Sequence, residues 1–119
     1  MTLSEFRVLL AQTPLVASVQ ASPGSPTADA NILLALARAS QSEGVRFLRL
    51  EGLEAIETIR AGTGLPTIGL IKRVYPDSQV YITPTRAEED ALLSSGVEII
   101  ALDTTLRYRD HRPRYHVAV

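Results

Sequence analysis

Four short runs rich in β-branched and apolar residues recur at residues 14–20, 45–50, 66–72 and 97–102, with helix-length intervals between them. This alternation constrains the fold more than any other feature. Neighbouring parallel strands need a crossover of about a dozen residues or more, which a helix supplies, and such crossovers are right-handed. The chain is therefore predicted to be α/β, with four parallel strands alternating with helices.

The intervals carry helical signals. Residues 27–43 place Ile32, Leu33, Leu36, Ala37 and Ala39 on a helical spacing, with Thr27 or Asp29 at the start and Gly44 past the end. Leu53, Ala55, Ile56 and Ile59 predict a second helix ending before Gly62-Thr63-Gly64. Residues 84–95 predict a third, with Pro84 in its first turn, acidic residues early and Gly96 as terminator. Between 72 and 84 lies a long loop in which residues 79–82 extend briefly.

With 119 residues the chain suits an open doubly wound sheet or at most half of a (β/α)8 barrel, since a complete barrel needs about 250. Composition then removes whole classes of function. The formal charge of −1 supplies no basic field for nucleic acid or an anionic membrane. The lack of cysteine excludes disulfides, thiolate nucleophiles and thiolate metal sites. No apolar stretch approaches the roughly 20 residues of a membrane-spanning helix. Glu5 and Arg7 interrupt the N-terminal apolar run, unlike a secretory leader, so a cytoplasmic location is expected.

In parallel α/β architectures the ligand faces the C-terminal ends of the strands. The polar residues there are Gln20, Arg49, Lys72, Arg73 and Asp103. An amide, cations and a carboxylate on one rim suit an anionic, hydroxyl-rich ligand such as a sugar phosphate. Each also has a plainer reading. Lys72 suits a solvated strand end, Arg49 a surface ion pair with Glu51 or Glu54, Gln20 a backbone contact and Asp103 a helix cap. A lysine at such a rim becomes a base when desolvated or crowded by cations, which Arg49 and Arg73 could supply.

Two other patterns carry less. Gly62-Thr63-Gly64 lacks the third glycine and the strand-before, helix-after context of a dinucleotide fingerprint, and reads as a helix stop. His111 and His116 stand among Arg107, Arg109, Arg112, Arg114, Tyr108 and Tyr115, a basic tail that reads as solvated. A nucleic-acid contact through that tail would require steep salt dependence.

Longer stretches resemble the N-acetylmannosamine-6-phosphate 2-epimerases, bacterial (β/α)8 enzymes of sialic acid breakdown. Residues 16–24 look like that family's first strand and loop, and residues 48–56 resemble its arginine-bearing second strand and helix. Residues 68–78, continuing through 80–85, carry the most specific likeness, and residues 99–105 with Arg107 and Arg109 resemble its fourth strand. The resemblance spans roughly residues 5–110, and implies half of a (β/α)8 barrel over residues 1–110 with a divergent tail at 111–119.

It also implies a reaction. The family interconverts N-acetylmannosamine 6-phosphate and N-acetylglucosamine 6-phosphate by removing and returning the C2 proton, without a redox cofactor. Lys72 matches its catalytic lysine, and Gln20 and Arg49 match residues lining its pocket. Family members continue with four further βα units bearing an aspartate, a catalytic glutamate and phosphate-holding loops, whereas this sequence departs from the pattern after Asp110. A truncated or frame-shifted ending is expected, as is a partner, either a second copy or a separate chain supplying the other half-barrel. The rival expectation is a non-catalytic remnant that binds sugar phosphate without turnover.

Overall fold

A computed structural model describes residues 1–76 and 78–103, together with the backbone of 108–109 and 112–113. Helices and strands alternate as α1 (Leu3–Gln12), β1 (Ala17–Val19), α2 (Ala30–Ser42), β2 (Leu48–Glu51), α3 (Leu53–Thr63), β3 (Thr67–Leu70), α4 (Arg86–Ser95) and β4 (Ile99–Ile100). The four strands form one parallel sheet in the order β1-β2-β3-β4. This is the expected half-barrel arrangement. Two further short strands, β5 (Tyr108–Arg109) and β6 (Arg112–Pro113), pair antiparallel. The rest of the proposed tail lies outside the described residues. No helix among those described is long and apolar enough to cross a membrane.

Caps set the helix boundaries. Of the two starts open to α2, Asp29 is used: its carboxylate accepts from the N–H groups of Asn31 and Ile32 at 2.8 and 3.1 Å. Helix α4 begins at Arg86 rather than Pro84, because Thr85 is the cap and accepts from the Ala87 N–H at 3.2 Å. Helix α3 runs through Gly62 and Thr63 before Gly64 stops it in the left-handed region at φ 66°, later than the sequence suggests. Gly62 serves packing instead: a Cβ there would lie 2.5 Å from Leu34 Cδ1 of α2.

Helix α1 lies outside the strand–helix alternation that periodicity predicts. Its signal is a capping box, in which the Thr2 hydroxyl accepts from the Glu5 N–H at 3.1 Å while the Glu5 carboxylate accepts from the Thr2 N–H at 2.7 Å. Those hydrogen bonds, led by the one from the Thr2 backbone, hold the Glu5 carboxyl below the usual range.

The sheet has two unlike faces, because alternate strand residues point to opposite sides. Val19, Leu48 and Leu50 pack with Leu33, Ala37, Ala55, Ile56, Ile59 and Leu92 of the helices. Each fully buried Leu or Ile in that layer contributes about 1.5–3 kcal/mol. On α2 the buried face is Leu33 and Ala37, whereas Ile32 and Leu36 lie on its exposed flank. On the sheet's other face, register aligns Ser18, Arg49, Ile68 and Ile99 in one row. None of these four is fully buried. Below that row, the buried Phe47 meets Phe6 of α1 edge to face, ring centroids 5.2 Å apart.

Candidate functional site

The sheet's C-terminal rim collects most of the residues expected there. Arg49 stands in the middle of β2, half-buried, in the row Ser18–Arg49–Ile68–Ile99. It makes no hydrogen bond or ion pair among the described residues, so the pairing with Glu51 or Glu54 is not formed. Gln20 lies two residues beyond Ser18 on the same side, and its Nε2 donates to the Ser18 hydroxyl at 2.9 Å. This contact aligns the amide along the row beside Arg49 rather than on the backbone.

Lys72 lies two residues past the end of β3, whose Ile68 and Leu70 stand on the Arg49 side. It is exposed, so the described residues do not supply the desolvation expected of it. Its backbone is fixed from two directions. Lys72 forms an antiparallel bridge with Ile82, and its N–H donates to Glu51 Oε2 at 3.1 Å. The sequence offered Glu51 only as a partner for Arg49; its observed part is to tie the end of β2 to the residue after β3.

Residues 71–73 and 81–83 pair as the two arms of a hairpin. The Arg73 N–H donates to Tyr81 O at 2.9 Å and the Thr83 N–H to Ile71 O at 2.7 Å. This gives the expected extended stretch at 79–82 a structural part, as the return strand facing Lys72. Asp103 is half-buried beyond β4, and its N–H donates to Ile82 O at 3.1 Å. Lys72 and Asp103 thus share Ile82 as a common support.

Arg73 is exposed. A hydrogen bond with Tyr75, and the charges of Tyr75 and Glu88, hold its guanidinium pKa above the ordinary value. Tyr75 donates to Glu88 Oε2 at 3.1 Å, and the Thr85 hydroxyl donates to the same oxygen at 2.9 Å. This network joins the loop to the start of α4, away from Arg49 and Gln20. Glu88 is buried, and nothing in its acidic, helix-forming context marks it as different by sequence from the half-buried Glu89 or the exposed Asp90.

Two clefts open on the surface, the first at this same C-terminal rim. One of about 390 Å³ lies between the β1–α2 and β2–α3 connections, lined by residues that include Ala21, Asp29, Glu51 and Glu54. Another of about 410 Å³ lies by the starts of β2 and β3, lined by residues that include Leu9, Arg46 and Pro66. Neither is lined by Lys72 or Arg49.

A rim with an amide, a guanidinium unpaired among the described residues and an exposed amine suits a phosphorylated or hydroxylated ligand, and known proteins share this framework. Residues 33–117 match the family described as "Putative N-acetylmannosamine-6-phosphate epimerase". A relative of that description with the 2-epimerase activity in its name, from Clostridioides difficile (strain 630), is 46% identical over 95 residues, covering 80% of this chain and 43% of the relative. One from Yersinia pestis (strain Pestoides F) is 45% identical over 98 residues, covering 82% and 42%. The solved N-acetylmannosamine-6-phosphate 2-epimerase from Clostridium perfringens superposes with a TM-score of 0.78 at 41% identity, over 80% of this chain and 42% of that one. The chain therefore spans about two-fifths of the length of the relatives it matches. With sequence and fold in agreement over most of its residues, the chain belongs to the N-acetylmannosamine-6-phosphate epimerase family.

Proposed function

We propose that this chain carries the N-terminal part of a site that interconverts N-acetylmannosamine 6-phosphate and N-acetylglucosamine 6-phosphate by proton transfer at C2. The observation that carries the reading is that Lys72 follows directly after β3, its backbone tied to Ile82 and to Glu51 at the end of the strand that bears Arg49. In the opened sugar, C2–H is adjacent to the C1 carbonyl. Its removal leaves an enolate-type intermediate, and return of a proton to the opposite face inverts the centre. Lys72 is the proton-transfer residue, while Arg49 and Gln20 contact the substrate and supply charge and hydrogen bonding. Asp103 and Arg73 are further candidate contacts.

The strands at both ends of the sheet, β1 and β4, have only one neighbour each among the described strands. Such edges favour a partner, and a second copy or a separate chain supplies the remaining units in this reading. A cytoplasmic location belongs to the same reading, since a phosphate ester crosses membranes poorly and is used in the compartment where it is made.

Proton NMR of N-acetylmannosamine 6-phosphate in deuterated water with the purified chain reads the step directly. The C2 proton is expected to exchange and the glucosamine epimer to appear, with a loss of about 10²–10⁴-fold in Lys72→Ala. Binding that Arg49→Ala weakens, with no exchange by the folded wild-type chain, would instead favour the non-catalytic sugar-phosphate binder.

A further inference from the structure

The ladder between β3 and β4 ends in an unusual way. Ala101 donates its N–H to Gly69 O at 2.9 Å, as a parallel ladder requires. The next bond of that pattern would run from the Ile71 N–H to Ala101 O. The Thr83 hydroxyl occupies its place: Oγ accepts from the Ile71 N–H at 3.3 Å and donates to Ala101 O at 2.7 Å. A side-chain oxygen is thus inserted between two strands at the last step before the rim.

Thr83 adopts an unfavourable backbone to do this. It is fully buried, with φ 46°, in a region that β-branched residues rarely enter. It also precedes Pro84, and a residue before proline is ordinarily extended. Glycine would relieve the conformation but would remove the hydroxyl, and with it both links of the inserted bond. The neighbouring residues share the frame, since Lys72 bridges Ile82 and the Asp103 N–H donates to Ile82 O at 3.1 Å.

We propose that Thr83 is a positioning residue, a hydroxyl wedge that spreads the ends of β3 and β4 and so fixes where Lys72 stands relative to Asp103. The proposal rests on the reading of Lys72 as the proton-transfer residue. Thr83 touches no reacting atom in this account; it acts through the backbone of Ile71 and Ala101.

Three variants test it. Thr83→Val keeps the shape and removes the hydroxyl, Thr83→Ser keeps the hydroxyl, and Thr83→Gly relieves the backbone while removing the hydroxyl. In the C2-proton exchange assay, Thr83→Val is expected to lower kcat by about 10²-fold with KM within about twofold, and Thr83→Ser to recover most of the loss. Amide hydrogen exchange by NMR reads the same wedge without turnover. Protection at Ile71 and Asp103 should fall at least about tenfold in Thr83→Val while Leu50 in β2 is unchanged. If Thr83→Val does not fold, Thr83→Gly carries both measurements.

Wild-type kcat in the hydroxyl-free variants, or unchanged protection at Ile71 and Asp103, would overturn the wedge. A wild-type chain that binds N-acetylmannosamine 6-phosphate but exchanges no C2 proton would favour the non-catalytic reading of the proposed function instead. The amide measurement would then decide the wedge by itself.

Discussion

The two faces of the sheet use the same strands to opposite ends. Leu48 and Leu50 are fully buried under α2 and α3, whereas Arg49 and Glu51, their immediate neighbours, are only half-buried on the other side. One face is closed by the chain's own helices, and the other presents a row in which Arg49 lacks a described partner. In that row the contrast separates what holds the fold from what is available to a ligand, while Phe47 and Leu70 on the same side stay buried. Helix packing is satisfied within this chain, so the opposite row can hold groups that packing alone would not select.

The largest expected effect comes from emptying the closed face. Leu50→Ala should cost about 2–5 kcal/mol in urea denaturation, while Ile68→Ala, in the open row, should cost less than about 1 kcal/mol. Equal losses would break the comparison, because they would mean that the open row is packed in solution.

Gly69→Ala sharpens it at a single point. A Cβ on Gly69 would lie 2.8 Å from Val97 Cγ1, and a β-branched neighbour on the helix side has little rotameric freedom to yield. Overpacking should cost about 1–3 kcal/mol, read as a lowered melting temperature. An unchanged melting temperature would show that the β3–α4 layer is looser than its burial indicates.

A smaller effect comes from the N-terminal edge of the sheet. Glu98 Oε2 accepts from Arg60 Nη1 at 2.6 Å and from the Thr67 N–H at 2.7 Å, and Arg60 Nη2 donates to Gly96 O at 2.8 Å. Burial pushes the Glu98 carboxyl up, but the Arg60 guanidinium and the backbone N–H groups together outweigh it and leave its pKa lowered. A carboxyl lowered on folding stabilises the protein above its unfolded pKa, and that stability is lost as pH falls through the folded value. Glu98→Gln should therefore cost about 1 kcal/mol at neutral pH and flatten part of the acid dependence. A variant with the wild-type acid profile would assign that dependence to other carboxyls.

Much of this organisation was legible in the residues. Periodicity located all four strands and the three helices that follow the N-terminal one, because each helix must bury an apolar stripe against the sheet. Strand lengths were overstated: the β3 run extends past Leu70, but there the chain leaves the parallel ladder and turns into the hairpin with residues 81–83. Helix α1 escaped notice because none of its residues is fully buried and its signal is the Thr2–Glu5 cap. At the rim, residue type pointed to Lys72, Arg49 and Gln20, but it could not reveal Thr83. A threonine before proline reads as extended, and only three-dimensional pairing puts its hydroxyl between two strands.

The contact between Phe6 and Phe47 has a practical corollary. Helix α1 acts as a stopper at the base of the open row, with an aromatic ring as its sealing surface. Removing that helix would bare Phe47 and turn a finished end of the molecule into an adhesive one. A tag or reporter fused at the N-terminus would pull on the same stopper, so changes in the behaviour of such a fusion would report on the base of the row before they reported on its rim.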